Sequence, residues 1–151
     1  MITADNIATI WVNQKLVAQP VNNRIWNKAQ EYVFTECLEV IAVAITNTGG
    51  PGGLLGSFDN GVLTDGSWRC SEKAPSPQWT SSKFDDSVMP RATVYGEHRL
   101  ITGISPEAKW IGSRNPNAPK MFCRLSFKLG NYNLWSYYQG LVQLVTDFVF
   151  P

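Results

Sequence analysis

The sequence is poor in charge, and neither sign is in excess. Only 17% of the residues are charged, and 13 Lys or Arg oppose 12 Asp or Glu, for a formal net charge of +1. A protein that binds a phosphate backbone neutralises several phosphates with Lys and Arg. Because this chain has no such surplus, we expect no nucleic-acid partner.

Long apolar runs are also missing. No stretch approaches the roughly 20 apolar residues that span a bilayer. The first residues, 1–5, have neither the basic n-region nor the apolar h-region of a signal peptide. We therefore expect a soluble chain without membrane insertion, and the sequence itself shows no signal peptide. It contains no Asn-x-Ser/Thr sequon, so the compartment stays open at this point.

Side chains for catalysis are scarce. His98 is the single histidine, and no nucleophile motif surrounds any Ser or Cys. The glycine-rich stretch 49–53 lacks the Lys-Ser/Thr of a phosphate-binding loop and is interpreted as a turn. Asp85 and Asp86 are adjacent in a polar segment, which is typical of a loop or helix cap and not of a glycosidase acid pair. We therefore expect no enzymatic activity.

The three cysteines, Cys37, Cys70 and Cys123, are too far apart for a CxxC metal or redox motif. They allow at most one internal disulfide, which leaves one thiol over. Their spacing does not choose the pair.

Aromatic residues and short apolar stretches are abundant, the aromatics reaching 12% of 151 residues. Such stretches, alternating with turn-rich ones, are typical of an all-β sandwich or barrel, so we predict a single antiparallel β-sandwich over residues 1–130. The predicted strands are Ile7 to Val12, Lys15 to Ala18, Val40 to Ile45, Leu54 to Phe58, Val62 to Thr64, Ala92 to Tyr95 and Phe122 to Phe127. Within Val40 to Ile45, Ile41, Val43 and Ile45 should be buried on one face, with Ala42 and Ala44 on the other. The stretch Ser71 to Pro90 is predicted to be a long surface loop with a short helical turn.

Residues 131–151 form a tail rich in aromatic and apolar side chains. Left uncovered, it would expose more apolar surface than a monomer normally shows. Its pattern fits both a helical face and a strand, and we favour the strand. We expect it to complete a sheet of its own chain or to pair as a donated strand with a neighbour, which would give a homo-oligomer or a filament.

Four motifs in the chain carry a resemblance to a known family. They are Thr3-Ala4-Asp5-Asn6 leading into Ile10-Trp11-Val12-Asn13-Gln14-Lys15, Trp26 with Ala29 and Tyr32, Val40 to Val43 running into Asn47 to Leu55, and Ser67-Trp68-Arg69-Cys70 followed by Trp79 and Phe84 to Ser87. In this order and spacing they resemble the galactose-binding-like jelly rolls attached to glycoside hydrolases, closest to the rhamnose-binding modules of α-L-rhamnosidases. The resemblance covers residues 3–127. It implies a jelly-roll sandwich with a non-catalytic, lectin-like function that binds a glycan or polysaccharide.

The resemblance also implies a Ca²⁺ site. In those modules an Asp-Asn pair and the Asn and Pro of a glycine-rich loop surround an ion that touches the sugar, which carries over to Asp5, Asn6, Asn47 and the Pro51 carbonyl. Ca²⁺ takes about 6–8 oxygen ligands, so positions remain for two sugar hydroxyls. Adjacent residues of a regular strand point to opposite faces, so the Asp-Asn pair can share an ion only at a bulge or strand end. Otherwise the pair is a structural turn.

The implied sugar contacts are Trp26, Asn23, Arg24 and Asn47. The indole of Trp26 would cover the apolar face of a pyranose, and the polar groups would fix its hydroxyls. The alternative for Trp26 is a packed core or hairpin residue.

The resemblance further implies a Cys70–Cys123 disulfide, since related modules tend to carry Cys at both positions, and an extracellular or secreted location. Cys37 would be the odd thiol. The chain departs from the family at three points. Gln14 replaces the Gly of a hairpin turn, so that turn is expected to be longer or differently built. Met89 replaces a Trp, and the strand before Thr3 is missing, which would expose a sheet edge.

A different class of function stays open beside carbohydrate binding. The tail and the missing strand also fit a structural module that assembles by strand donation. Calcium-dependent glycan binding would favour the first function, and a concentration-dependent oligomer would favour the second.

Overall fold

The computed structural model describes residues 1–18, 25–35, 37–98 and 100–127. In these ranges the chain is all-β, as predicted, with two antiparallel sheets of a β-sandwich and a single 3₁₀ turn at Asp86–Val88. The four-stranded sheet runs β1 (Ile2–Asp5), β5 (Gly53–Gly56), β8 (Lys109–Gly112), β7 (Thr93–Glu97). The five-stranded sheet runs β3 (Lys15–Ala18), β2 (Ile7–Val12), β4 (Val40–Thr46), β9 (Lys120–Ser126), β6 (Arg69–Ser71).

The core lies between the two sheets and is built on β4. Ile41, Val43 and Ile45 are buried there as predicted, against residues of the other sheet such as Leu54 and Ile111. Alternation along the strand turns Ala42 to the opposite face. That outer face is also covered, since Ala42 has no exposed surface.

The predicted β2–β3 hairpin is confirmed, but its turn is not longer than two residues. Asn13 and Gln14 have φ of 48° and 70°, the positive values that a two-residue primed turn requires. The Asn13 side chain supports this conformation. Its Oδ1 accepts hydrogen bonds from the Glu39 and Val40 amides at 2.9 and 3.0 Å, and its Nδ2 donates to the Cys37 carbonyl at 2.6 Å. These bonds anchor the turn at Asn13 to Cys37, Glu39 and the first residue of β4, and Gln14 takes the second turn position with a positive φ although it is not Gly.

The predicted strand Val62 to Thr64 is wrong, because only an isolated bridge between Ser57 and Leu63 forms there. Gly61, at a φ of +80°, turns the chain back instead. Thr64 is held by its hydroxyl, which donates to the Lys109 carbonyl at 2.8 Å.

Three observed strands, β1, β6 and β8, were not predicted. Each has only three or four residues and carries polar side chains among its apolar ones. These segments form strands because they pair with a neighbouring strand, and none of them has an apolar run that would mark it as a strand in the sequence. The predicted tail, 131–151, lies outside the described residues.

The edge of the four-stranded sheet at β1 is partly covered by residues 25–35. Ile2 exchanges two backbone hydrogen bonds with Gln30, at 2.9 and 2.8 Å. The Thr3 hydroxyl donates to the Trp26 carbonyl at 2.8 Å. An extended segment of the chain itself therefore pairs with part of this sheet edge.

The disulfide pairs Cys70 with Cys123, as the resemblance implied. The two residues stand directly opposite each other on β6 and β9, with both side chains in the core. Cys37 is an exposed free thiol.

The loop between β6 and β7 covers the outer face of the five-stranded sheet. Trp79 packs its ring edge to face against Trp11 and Phe122, both at 5.6 Å between centroids. The short helical turn expected in this loop is the 3₁₀ turn, with Asp85 as its N-cap accepting from the Ser87 amide. Met89, where the resemblance implied a Trp, is buried in this loop.

No helix in the described ranges is long and apolar enough to cross a membrane.

Candidate functional site

The candidate site begins where β1 ends. Asp5 is the last residue of β1 and Ile7 the first of β2, so Asn6 sits in the connection between the two sheets. This strand end meets the condition under which Asp5 and Asn6 can act together. The Asn6 side-chain Nδ2 donates to the Asp5 carboxylate, which ties the two side chains to each other.

The glycine-rich loop after β4 is bound to this junction. The Asn6 Oδ1 accepts from the amide of Thr48 at 2.7 Å and from its hydroxyl at 3.0 Å, across 42 positions of sequence. A Cβ on Gly52 would lie 2.6 Å from the Asp5 carbonyl oxygen, closer than a real Cβ approaches. Glycine is therefore required at position 52 for the loop to approach β1.

Asn47 shapes the loop from within. It is buried, with its Oδ1 accepting from the Gly49 amide at 3.0 Å. Its Nδ2 donates to the Gly50 carbonyl at 2.7 Å and reaches the Pro116 carbonyl at 3.4 Å. These bonds fold residues 47–53 back on the end of β1, where Asp5 pairs with Gly53.

The structure thus brings Asp5, Asn6 and Asn47 to one end of the sandwich, with Pro51 in the same loop. Asn23 and Arg24, two of the expected sugar contacts, lie outside the described residues. The convergence of Asp5, Asn6 and Asn47 depends on contacts between distant segments. The resemblance implied these contacts, whereas the spacing of the residues alone does not.

The electrostatics of this end are set by one carboxylate. Partial burial raises the pKa of Asp5 by desolvation. Among the described residues, no cation is paired with it. An anionic group with this environment is one that a bound cation would stabilise.

The donors present are of the kind that Ca²⁺ prefers, namely a carboxylate, an amide oxygen and a backbone carbonyl. They are contributed by Asp5, Asn47 and Pro51. Asn6 already accepts two hydrogen bonds from Thr48, so in this arrangement it holds the loop against Asp5. No group of three or more His, Cys, Asp or Glu that could hold a metal occurs in the part of the chain that is described.

Trp26 lies beside the same strand. Its carbonyl is bound by Thr3, which shares a face of β1 with Asp5, and two residues along a strand span about 7 Å. The Trp26 side chain keeps 46% of its surface exposed, which is unusual for so large an apolar group. It is a half-exposed aromatic residue on the same sheet edge as the polar end, and not a core residue.

A groove at the other end of this edge was missed by sequence reasoning. It encloses about 360 Å³ and combines aromatic side chains with acids and an amide; these lining residues are Glu31, Tyr32, Phe34, Phe58, Asp59 and Asn60. The Tyr32 hydroxyl donates to Gln30 Oε1, and burial raises the pKa of its phenol. The aromatic and acidic residues at 31–34 are a compositional signal, but no strand pattern marked them as a unit.

Comparisons of this chain with models of protein families, with curated proteins and with solved structures find no match.

Proposed function

We propose that the chain is a non-catalytic, lectin-like carbohydrate-binding domain with its sugar site at the end of β1. The observation that carries the proposal is the convergence of Asp5, Asn6 and Asn47 at the end of β1, the strand whose Thr3 binds the backbone carbonyl of the half-exposed Trp26. An aromatic face beside planar polar groups is the combination that a pyranose ring needs, because its C–H face is apolar and its rim carries hydroxyls.

Ca²⁺ is the proposed cofactor of this site. Asp5, Asn47 and the Pro51 carbonyl would hold it, with Asn6 positioning the loop that carries the last two. When bound, the ion supplies coordination positions that two neighbouring sugar hydroxyls can fill. The chain's own part is to bring the Asp5 carboxylate and the loop oxygens together before the sugar arrives.

The groove at Tyr32 indicates the direction in which a bound glycan would extend from the proposed site. Met1, which lines the groove, directly precedes β1 and is two residues from Thr3, and the Trp26 carbonyl is bound to Thr3. A glycan running along this edge would contact Trp26 at one end and Tyr32 and Phe58 at the other. The proposal therefore favours an oligosaccharide over a free monosaccharide.

An extracellular or secreted location is part of the proposal. Disulfides persist in oxidising compartments and are rare in the reducing cytosol, and the Cys70–Cys123 bond lies in the core of this domain.

The test is a glycan array read with Ca²⁺ and with chelator, followed by calorimetry on the best ligand. Asp5→Asn removes the charge and keeps the shape, and we expect it to abolish the calcium-dependent part of binding. Glu107→Gln is its control, as an exposed carboxylate in another loop. Trp26→Ala should weaken binding about tenfold or more, and Leu16→Ala, with the same 46% exposure, should not.

A positive array that is indifferent to chelator and to Asp5→Asn would contradict the calcium site. An array blank under both conditions would contradict carbohydrate binding. If sedimentation of the same samples then showed a concentration-dependent oligomer, assembly through the tail would replace it.

A further inference from the structure

A row of three arginines crosses the outer face of the five-stranded sheet. Arg69 on β6 stands directly opposite Arg124 on β9, and on its other side it bridges to Arg91. Residues directly opposite each other on antiparallel strands project to the same face, with Cβ atoms about 4.5–5.5 Å apart. Like charges in such pairs destabilise a sheet, so nearby anions would stabilise this arginine row.

Asp86 supplies one anion, and it is used by Arg124. Asp86 Oδ2 lies 3.3 Å from Arg124 Nε and accepts from the Ser126 hydroxyl at 2.6 Å. Arg124 is fully buried and also donates to the backbone carbonyls of Trp79 and Ser81. Its role is to hold the covering loop in place.

Arg69 and Arg91 have no such partner. Each donates Nη1 to a backbone carbonyl, Arg69 to Met89 at 2.8 Å and Arg91 to Ser67 at 2.9 Å. Within the described ranges, neither is paired with a carboxylate. A guanidinium has five N–H donors, so most of the donors of both side chains remain for a ligand.

A cavity of about 230 Å³ opens over the arginine row. Its polar lining consists of Ser67, Arg69, Asp86, Arg91, Arg124 and Ser126. Three positive charges against one negative leave this lining with a net charge of +2. The size suits a single anionic group on a sugar-sized ligand. The chain as a whole has nearly balanced charges, which argues against binding of the extended phosphate backbone of a nucleic acid.

We propose that the arginine row is an oxyanion-binding subsite that takes a carboxylate or sulfate group of an acidic glycan. Arg69 and Arg91 bind the oxyanion through charge-assisted hydrogen bonds, which guanidinium groups form in pairs with carboxylate and sulfate oxygens. Arg124 positions the wall of the cavity. The oxyanion site stands on its own geometry, and only the assignment of the oxyanion to a glycan rests on the proposed function.

The first experiment titrates inorganic sulfate against the ¹⁵N-labelled protein, with chloride at equal ionic strength as reference and chelator throughout. D-glucuronate replaces sulfate in a parallel titration. We expect saturable shifts of the Arg69 and Arg91 Nε–Hε resonances and of neighbouring amides. Arg91→Gln, an exposed position, should weaken binding about tenfold or more, and Arg91→Lys should retain part of it. Arg114→Gln, an exposed arginine outside the row, should bind as the unchanged protein does.

Shifts that match those in chloride, or equal affinity in Arg91→Gln and Arg114→Gln, would overturn the oxyanion site. The second experiment compares a sulfated disaccharide with its desulfated parent. Tighter binding than inorganic sulfate, lost in Arg91→Gln, supports the acidic glycan, and no gain over sulfate overturns that assignment. Because chelator is present and Asp5 is unchanged, failure of the calcium site leaves both results readable.

Discussion

The two faces of the five-stranded sheet are both covered, but by different means. The inner face packs apolar residues of β4 and β9 and the disulfide against a second sheet. The outer face is covered by a loop, and its buried residues include the charged Arg124, whose guanidinium lies 5.1 Å from the centre of the Phe84 ring. Burial lowers the pKa of Arg124, and Asp86 opposes that shift.

The difference shows how one sheet can serve stability on one side and binding on the other. The inner face requires only close packing of complementary shapes, because apolar side chains have no hydrogen-bonding groups that need a partner. The outer face depends on the polar contacts of a buried charge, since a buried charge without its partner is costly. It is on this second face that the cavity over the arginine row forms.

The largest expected effect breaks the outer face. Arg124→Met removes the buried charge that opposes the Asp86 carboxylate, together with the guanidinium donor of the Trp79 and Ser81 carbonyls, and should lower the free energy of unfolding by about 3–5 kcal/mol. Chemical denaturation measures the loss. Lys120→Met, an exposed residue of the same strand, is the control. If Arg124→Met with Asp86→Asn were no more stable than Arg124→Met alone, the buried pair would not be the cause.

The next largest effect is expected from removing the disulfide of the inner face. The disulfide joins residues 53 apart, so replacing Cys70 and Cys123 by Ala releases a long closed loop in the unfolded chain and should cost about 3–4 kcal/mol. Denaturation midpoints check it. Cys37→Ala should change the midpoint little, and a larger loss from Cys37 than from the pair would refute the assignment of the bond.

Two neighbours on β4 sharpen the comparison directly. Val43→Ala opens a cavity between the sheets and should cost about 2 kcal/mol. Ala42→Val adds volume under the loop and should cost about 1 kcal/mol, because a loop can shift where a sheet cannot. Calorimetry measures both, and a cost of Ala42→Val as large as that of Val43→Ala would contradict the easier adjustment of the loop.

The smallest effect concerns Tyr95, whose hydroxyl donates to the Ser113 carbonyl and lies 3.9 Å from the Met121 sulfur of the inner core. Burial raises the pKa of this phenol, a hydrogen bond with the Ser113 side chain opposes the shift, and the charge of Glu72 adds to it. Since the folded pKa exceeds the unfolded one, the stability from Tyr95 is complete below about pH 10 and is lost as the pH rises through the folded value. Tyr95→Phe should cost about 1 kcal/mol at pH 7 and remove that alkaline loss. An identical pH dependence of unfolding in both proteins would contradict it.

The apolar and β-branched stretches were enough to predict the sandwich, β4 and the hairpin ends. A run such as 40–45 buries itself in any sheet, so its pattern is local. Strands β1, β6 and β8 escaped because partners remote in sequence define them. Val62 to Thr64 misled because an apolar stretch can serve a turn when Gly61 reverses the chain.

The candidate site was predictable only through the resemblance. No local rule says that Thr48 will bind Asn6, because that contact follows from the way β1, β2 and β4 are arranged. The arginine row had no signal at all, since Arg69, Arg91 and Arg124 look like solvated residues until strand register aligns them.

The Cys70–Cys123 bond closes the chain between residues 70 and 123 into a covalent ring. The covering loop, β7 and β8 all lie within that ring. A protease that cuts inside the loop therefore releases no fragment. The two pieces would migrate as one full-length molecule without reductant and separate only when it is added. Arg69 lies just outside the ring, and Arg91 lies within it, beyond the loop. A clipped protein would still carry both in one molecule.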